Sequence, residues 1–291
     1  MNYRHHFHAG NFADVVKHAV LVRIVRAMQA KERGFLYVDT HAGRGRYDLA
    51  TAARGDTLER TPEWPAGIGR LWARTGLPEL LADYVTLVKN YDQQLGNLEP
   101  GPGPRFYPGS PRLVRELARP QDRLTLFEKH PEEAEALRIE MLRLGSVGIQ
   151  EADGYTGLRG QLPAKEKRAL VLIDPPFEAK DEFVQIVRAV GDALRRAPAT
   201  TIMVWYPLTE RARVDAFFDD LRMLELPPTF ALELTVVGPA HPMKMKGSGL
   251  VVINPPWKLD QELAPAARWL AEALAQDEGG RAEFHWLVRE R

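Results

Sequence analysis

Short apolar runs, each closing on polar, glycine or proline residues, recur along the chain. They run from Phe35 to Asp39, Leu124 to Glu128, Val147 to Asp153, Ala169 to Asp174, Thr200 to Trp205, Phe230 to Val237 and Ser248 to Ile253. Most lack the alternation of a half-exposed strand, so they read as strands covered on both faces of a parallel sheet. Between them, apolar residues fall at helical spacing. Helices are predicted from Ala13 to Lys31, Pro131 to Leu144, Asp181 to Arg196 and Leu208 to Leu224, the second opening on a helix-start proline. Alternation of this kind predicts an α/β fold with a doubly wound sheet of seven strands, mostly parallel.

The rhythm breaks once. Thr40 to Arg123 is far longer than a single crossover needs, and it holds helical stretches around Ile68 to Trp72 and Leu77 to Asn90. It also holds a loop rich in proline and glycine from Asn97 to Pro111. We read residues 48–104 as a helical insertion capping the ligand edge of a domain formed by residues 1–47 and 105–291.

Composition narrows the chemistry. The 291 residues contain no cysteine, which excludes disulfides, thiolate metal sites and a Cys nucleophile of the kind used to methylate carbon 5 of pyrimidines. Lys and Arg balance Asp and Glu at 39 each, so any nucleic-acid contact is expected to be a local basic face. The first residues are polar and aromatic rather than signal-like, and no apolar run approaches membrane-spanning length. A cytoplasmic protein without a membrane partner is expected.

In open α/β sheets, ligands bind outside the carboxyl ends of the strands. The first run ends in Asp39-Thr40-His41-Ala42-Gly43-Arg44-Gly45. Asp48 stands where a dinucleotide fingerprint would place its third glycine. The Asp-x-x-x-Gly-x-Gly form is that of S-adenosylmethionine methyltransferases. Glu128 either accepts both ribose hydroxyls of a nucleoside or serves the helix that starts at Pro131. Asp153-Gly154 is either an Asp-Gly turn or an acceptor for an adenine amino group.

The fourth run leads into Asp174-Pro175-Pro176-Phe177, which carries the most chemistry. Paired prolines fix an extended turn. The Asp174 carboxylate and the Pro175 carbonyl can then accept from one amino group while Phe177 stacks on its base. Such a set suits a flipped-out adenine. Asn254-Pro255-Pro256-Trp257 has a similar form, but it follows the last run, expected off centre, and is assigned a structural role.

The His-rich stretch Tyr3 to His18 lacks metal-ligand spacing, so no metal is expected. It reads as a binding segment in which Lys17 and His18 meet the cofactor, with Lys17 available to pair with the cofactor carboxylate; the alternative is a solvated helix start. Arg4, Lys17, Arg44, Arg46, Lys244 and Lys246 are candidates for a phosphate-binding rim, Lys244 and Lys246 reading equally well as a solvated loop.

Together these motifs resemble the RlmJ family, the 23S ribosomal RNA adenine-N6 methyltransferases. The resemblance rests on Tyr-Arg-His-x-Phe-His-Ala-Gly-Asn at positions 3–11, Ala-Asp-Val-Val-Lys-His at 13–18 and Asp-Thr-His-Ala-Gly at 39–43. Further matches are Tyr-Pro-Gly-Ser-Pro at 107–111, Asp-Pro-Pro at 174–176, Trp-Tyr-Pro at 205–207 and Ile-Asn-Pro-Pro-Trp-Lys-Leu at 253–259. It implies a Rossmann-like class I methyltransferase fold with a helical insertion, and a monomer acting on 23S rRNA. It also implies that His18, His41, Ser110, Glu128, Asp153 and Gly154 hold S-adenosylmethionine, to which the residues themselves add Lys17 and Gly43. Asp174 would be the catalytic acceptor, and Tyr3, with Arg4, would engage the RNA. Two positions depart from the family: Phe177 stands where a tyrosine is common, and Phe12 replaces a histidine.

Overall fold

The computed structural model describes residues 7–53, 61–98, 101–142, 145 and 147–289. Tyr3 and Arg4, assigned to RNA contact, lie outside the described residues.

Eight strands form one sheet in the order β10-β8-β9-β7-β6-β1-β4-β5. They are β1 (Leu36–Asp39), β4 (Arg123–Glu128), β5 (Val147–Glu151), β6 (Ala169–Ile173), β7 (Thr201–Leu208), β8 (Thr229–Thr235), β9 (Gly247–Ile253) and β10 (Arg281–Val288). The five strands from β7 to β5 are parallel; β9 runs antiparallel to β7, and β8 and β10 follow as antiparallel neighbours. Every side chain of β1, β6 and β9 is buried, which accounts for their unbroken apolar character.

The sheet has eight strands rather than seven. The additional one, β10, alternates: Ala282, Phe284 and Trp286 pack on the core, while Arg281, Glu283 and His285 form ion pairs. A sequence scan for continuous apolar runs passes over such an edge strand. The expected helix from Leu208 begins later for a related reason. Strand β7 continues through Leu208 alongside β9, and α9 covers Arg211–Arg222.

Helix α1 (Phe12–Gln29) precedes β1 and is buried nearly all round. It packs against α4 (Glu79–Gln94), α5 (Ser110–Leu117) and α10 (Leu259–Leu274). Asn11 caps it by accepting the Asp14 amide at 3.0 Å. The stretch between β1 and β4 holds α2 (Leu49–Ala53), α3 (Gly69–Trp72), α4, a two-stranded ribbon of β2 (Arg46–Asp48) with β3 (Phe106–Pro108), and α5. The loop expected up to Pro111 therefore gives way to β3 and the start of α5. Among the described residues, no helix is long and apolar enough to cross a membrane.

Strand order reverses at β1, whose neighbours are β6 on one side and β4 on the other. A crevice is expected at this switch point, outside the carboxyl ends of these strands.

Candidate active site

A cavity of about 1380 Å³ opens there. It gathers residues far apart in sequence: Asp14, Lys17 and His18 from α1; His41 and Gly43 after β1; Ser110; Glu128; Asp153 and Gly154; and Asp174 to Phe177. Each catalytic or cofactor-binding residue expected from the sequence and lying in the described part thus reaches one cavity; of the expected basic rim, Arg46 and Lys246 do not.

Two glycines give the cavity floor its shape. Gly43 has φ +59°, and a Cβ there would stand 2.6 Å from the Tyr47 hydroxyl. At Gly154 a Cβ would meet the Thr40 carbonyl oxygen at 2.0 Å. The absence of that carbon lets α7 (Gly154–Gln161) start directly under the end of β1. Asp153 caps α7 by accepting the Thr156 amide at 3.0 Å. Although burial opposes its charge, this amide and Lys129 hold its pKa below the usual carboxylate range.

Glu128 is fixed by backbone donors. Its two oxygens accept the Gly43 amide at 2.9 Å and the His130 amide at 2.7 Å. Burial nevertheless lifts its pKa. Asp39 lies deeper and accepts from the Ser110 hydroxyl at 2.7 Å and the Tyr37 hydroxyl at 2.8 Å. Desolvation outweighs those bonds and raises its pKa to about 6. His41 lies edge-on to Tyr155, with ring centroids 5.0 Å apart. Burial lowers its pKa to about 4, so the ring is neutral near pH 7. The His18 ring stacks on Tyr107, and its Nδ1 lies 2.8 Å from the Tyr107 hydroxyl, which in turn meets that of Tyr84 at 2.7 Å.

Lys17 occupies a place its sequence position does not reveal. Its buried ammonium lies 2.8 Å from Asp14 and 2.5 Å from Asp174. Burial works against the charged form, but the two carboxylates more than offset it and raise the lysine pKa above its ordinary value. The ammonium is thus held by two carboxylates of this chain, one of them the candidate acceptor. Asp14, which the sequence reading did not single out, anchors the arrangement by also accepting the Gly10 amide at 2.9 Å.

Asp174 follows the end of β6 at the centre of the sheet. Next to it, Phe177 adopts φ +52°, an unusual conformation for an aromatic residue. Its ring packs edge-on against Phe183 at 5.0 Å and Trp205 at 5.7 Å. Three aromatic side chains therefore wall the cavity beside the Asp-Pro-Pro turn. Phe183 and Trp205 were not singled out from the sequence, although Trp205 closes an apolar run and stands in a quoted motif.

The similar turn at Asn254 lies elsewhere. Strand β9 is antiparallel to β7, so Ile253 pairs with Ile202 near the start of β7, at the end of the sheet remote from the cavity. There the Asn254 amide donates to the carbonyls of Pro198 and Thr200 at 2.6 and 3.0 Å. Strand direction, rather than distance from the centre, is what separates the two turns.

The basic rim divides as well. Arg44 pairs with Glu133 at 2.5 Å and Arg46 with Glu140 at 3.4 Å. Lys246 donates to the His241 and Met243 carbonyls, tying its own loop together. Lys244 lines the cavity and forms no ion pair among the described residues.

The residues present fit S-adenosylmethionine. Glu128 and Asp153 present carboxylates to the cavity, acceptors of the kind that hydroxyl and amino groups need, and the bare backbone at Gly43 allows close approach. The cavity continues without interruption to Asp174.

The chain is 38% identical over 290 residues to "Ribosomal RNA large subunit methyltransferase J" of Escherichia coli strain K12, with full coverage of both chains. The protein of that name from Haemophilus influenzae matches equally, at 38% over 290 residues and full coverage of both. A crystal structure of a Legionella pneumophila protein superposes with a TM-score of 0.83 at 32% identity, covering 96% of this chain and 97% of that one. Residues 32–288 match the family model described as "Ribosomal RNA large subunit methyltransferase D, RlmJ", and the chain belongs to that family.

Proposed function

We propose that this protein transfers the methyl group of S-adenosylmethionine to the N6 amino group of an adenine in 23S rRNA, acting as a monomer in the cytoplasm. The observation that carries the reading is Asp174, set at the sheet's switch point, gripped by Lys17 and flanked by an aromatic wall.

The sulfonium of the bound cofactor supplies an electrophilic methyl group. The protein's share is to make a poor nucleophile competent. An adenine amino nitrogen has its lone pair delocalised into the ring. The Asp174 carboxylate and the Pro175 carbonyl accept its two hydrogens, favouring a pyramidal nitrogen whose lone pair is free. Lys17 holds Asp174 fixed in place through their ion pair at 2.5 Å, so the acceptor is ready without reorganisation. Phe177 offers a ring face to the flipped base. Phe177 carries no hydroxyl, so recognition through this ring is by stacking alone. Glu128, Asp153, His41 and Gly43 hold the nucleoside part of the cofactor, and His18 and Ser110 contact it beyond the ribose.

A DNA adenine methyltransferase would share Asp174 and the cofactor. The names of the relatives favour RNA. Purified protein given labelled cofactor with either 23S rRNA or duplex DNA separates the two. Label in RNA, digesting to N6-methyladenosine, is the expected result; label in DNA alone would overturn the RNA assignment.

A further inference from the structure

We infer that Lys180, Arg213 and Lys244 form the site for the RNA backbone, their cations meeting the phosphates on either side of the target adenosine. The inference deepens the RNA reading above and rests on it.

The sheet divides the cavity into two flanks. The cofactor candidates His41, Gly43, Glu128 and Asp153 lie at the ends of β1, β4 and β5. Lys180 belongs to the opposite flank, in the segment that follows β6 and Asp174. Arg213 stands in the first turn of α9, which follows β7. Lys244 precedes β9, whose first residue, Gly247, pairs with Leu208 at the end of β7. The antiparallel return of β9 thus brings Lys244 to the same flank. All three side chains line the cavity, and all three residues are exposed.

Pairing sets these cations apart from the other lysines and arginines of the cavity. Lys17 is buried between two carboxylates. Arg44 is paired with Glu133, and Lys129 lies 3.4 Å from Asp153. Lys180, Arg213 and Lys244 form no ion pair among the described residues. The Arg213 guanidinium lies over the Phe183 ring at 5.7 Å, and Phe183 is edge-on to Phe177 at 5.0 Å. One of the three charges is therefore seated on the aromatic wall offered to the base.

Acids on this flank do not cancel the charge. Glu182 is buried and accepts from the Tyr155 hydroxyl at 2.7 Å, which leaves Glu178 as the exposed carboxylate lining this side among the described residues. The excess of open cations makes a local anion-attracting face on a chain whose formal net charge is zero. S-adenosylmethionine carries one carboxylate and no phosphate, so the cofactor has no use for three cations. A nucleotide flipped toward Asp174 brings a phosphate on each side of its sugar. Exposed cations on long stems suit those phosphates without reading sequence.

The test is the triple variant Lys180→Gln, Arg213→Gln, Lys244→Gln. The probe is the shortest 23S rRNA fragment that the wild type methylates, labelled for fluorescence anisotropy and bound with S-adenosylhomocysteine present. At about 0.7 counterions released per contact, three contacts predict a wild-type advantage that shrinks about 20-fold between about 0.05 and 0.2 M salt. KM for the fragment should rise at least about tenfold, while kcat at saturating RNA and cofactor affinity by calorimetry stay near wild type. Lys165→Gln is the control; it removes an exposed lysine that precedes β6, at the end of the sheet remote from the cavity, and should change nothing. A triple variant with wild-type salt dependence and KM would overturn the inference. Weakened cofactor binding with RNA binding intact would overturn it too, by giving the cations to the cofactor. If the triple variant does not fold, the three single variants decide. Each should reduce the slope of log Kd against log salt by about 0.7, and three unchanged slopes refute the site. No transfer by the wild type to any 23S rRNA fragment would instead overturn the RNA reading, and this inference with it.

Discussion

Replacing Lys17 with methionine tests the link between the fold and the proposed chemistry. Methionine keeps the unbranched shape and removes the charge, leaving Asp14 and Asp174 facing one another in a buried space. Their side chains are 3% and 15% exposed, so solvent screens them little. Two opposite charges about 3 Å apart attract by about 5 kcal/mol at an effective dielectric near 20, and desolvation offsets much of that. Stranding the partners of a buried ion pair costs about 3–5 kcal/mol. We expect a loss of roughly 3 kcal/mol at pH 8, read from urea denaturation. Methyl transfer should drop by at least about tenfold at pH 8, because the acceptor loses the ammonium that positions it. Asp14→Asn leaves the acceptor carboxylate of Asp174 in place and should retain most activity. A Lys17→Met protein as stable and as active as wild type at pH 8 would refute the argument.

Three further outcomes are expected. Asp174→Ala should lower kcat by roughly 100- to 1000-fold while cofactor affinity, measured by calorimetry, largely persists; undiminished turnover would show that the wrong turn was chosen. Gly154→Ala places a carbon 2.0 Å from the Thr40 carbonyl oxygen and should cost about 1–3 kcal/mol with weakened cofactor binding, whereas unchanged melting would mean that α7 shifts freely. Asp39 titrates near 6 when folded and near 3.8 when unfolded, so the folded state binds more protons between those values and loses stability as pH rises through them. Asp39→Asn removes that loss, and its stability relative to wild type should improve by about 2–3 kcal/mol between pH 4 and pH 7.5 in urea denaturation; a difference flat with pH would argue against the raised value.

Much of the fold was legible because a strand buried on both faces must be apolar throughout. That requirement marks β1, β4, β6, β7, β8 and β9 in the chain, and their alternation with helices announces the sheet. Strand β10 escaped because an edge strand needs an apolar residue only at every second position. Helix α5 escaped because it opens on Ser110-Pro111, which follows a run of prolines and glycines that reads as loop.

The sequence by itself determined which residue types stand at the strand ends: Asp39, Glu128, Asp153 and Asp174, with glycines at 43 and 154. Those are local properties, since a strand's end and the turn after it are neighbours in the chain. Partnership was decided only by tertiary structure. Lys17 and Asp174 are 157 residues apart, and nothing in either neighbourhood says that one ammonium will bridge Asp14 and Asp174. Strand direction likewise separates Asp174 from Asn254, and register sets Trp205 beside the acceptor. Charge pairing and hydrogen bonding act through space over a few ångströms, and only the folded chain sets those distances.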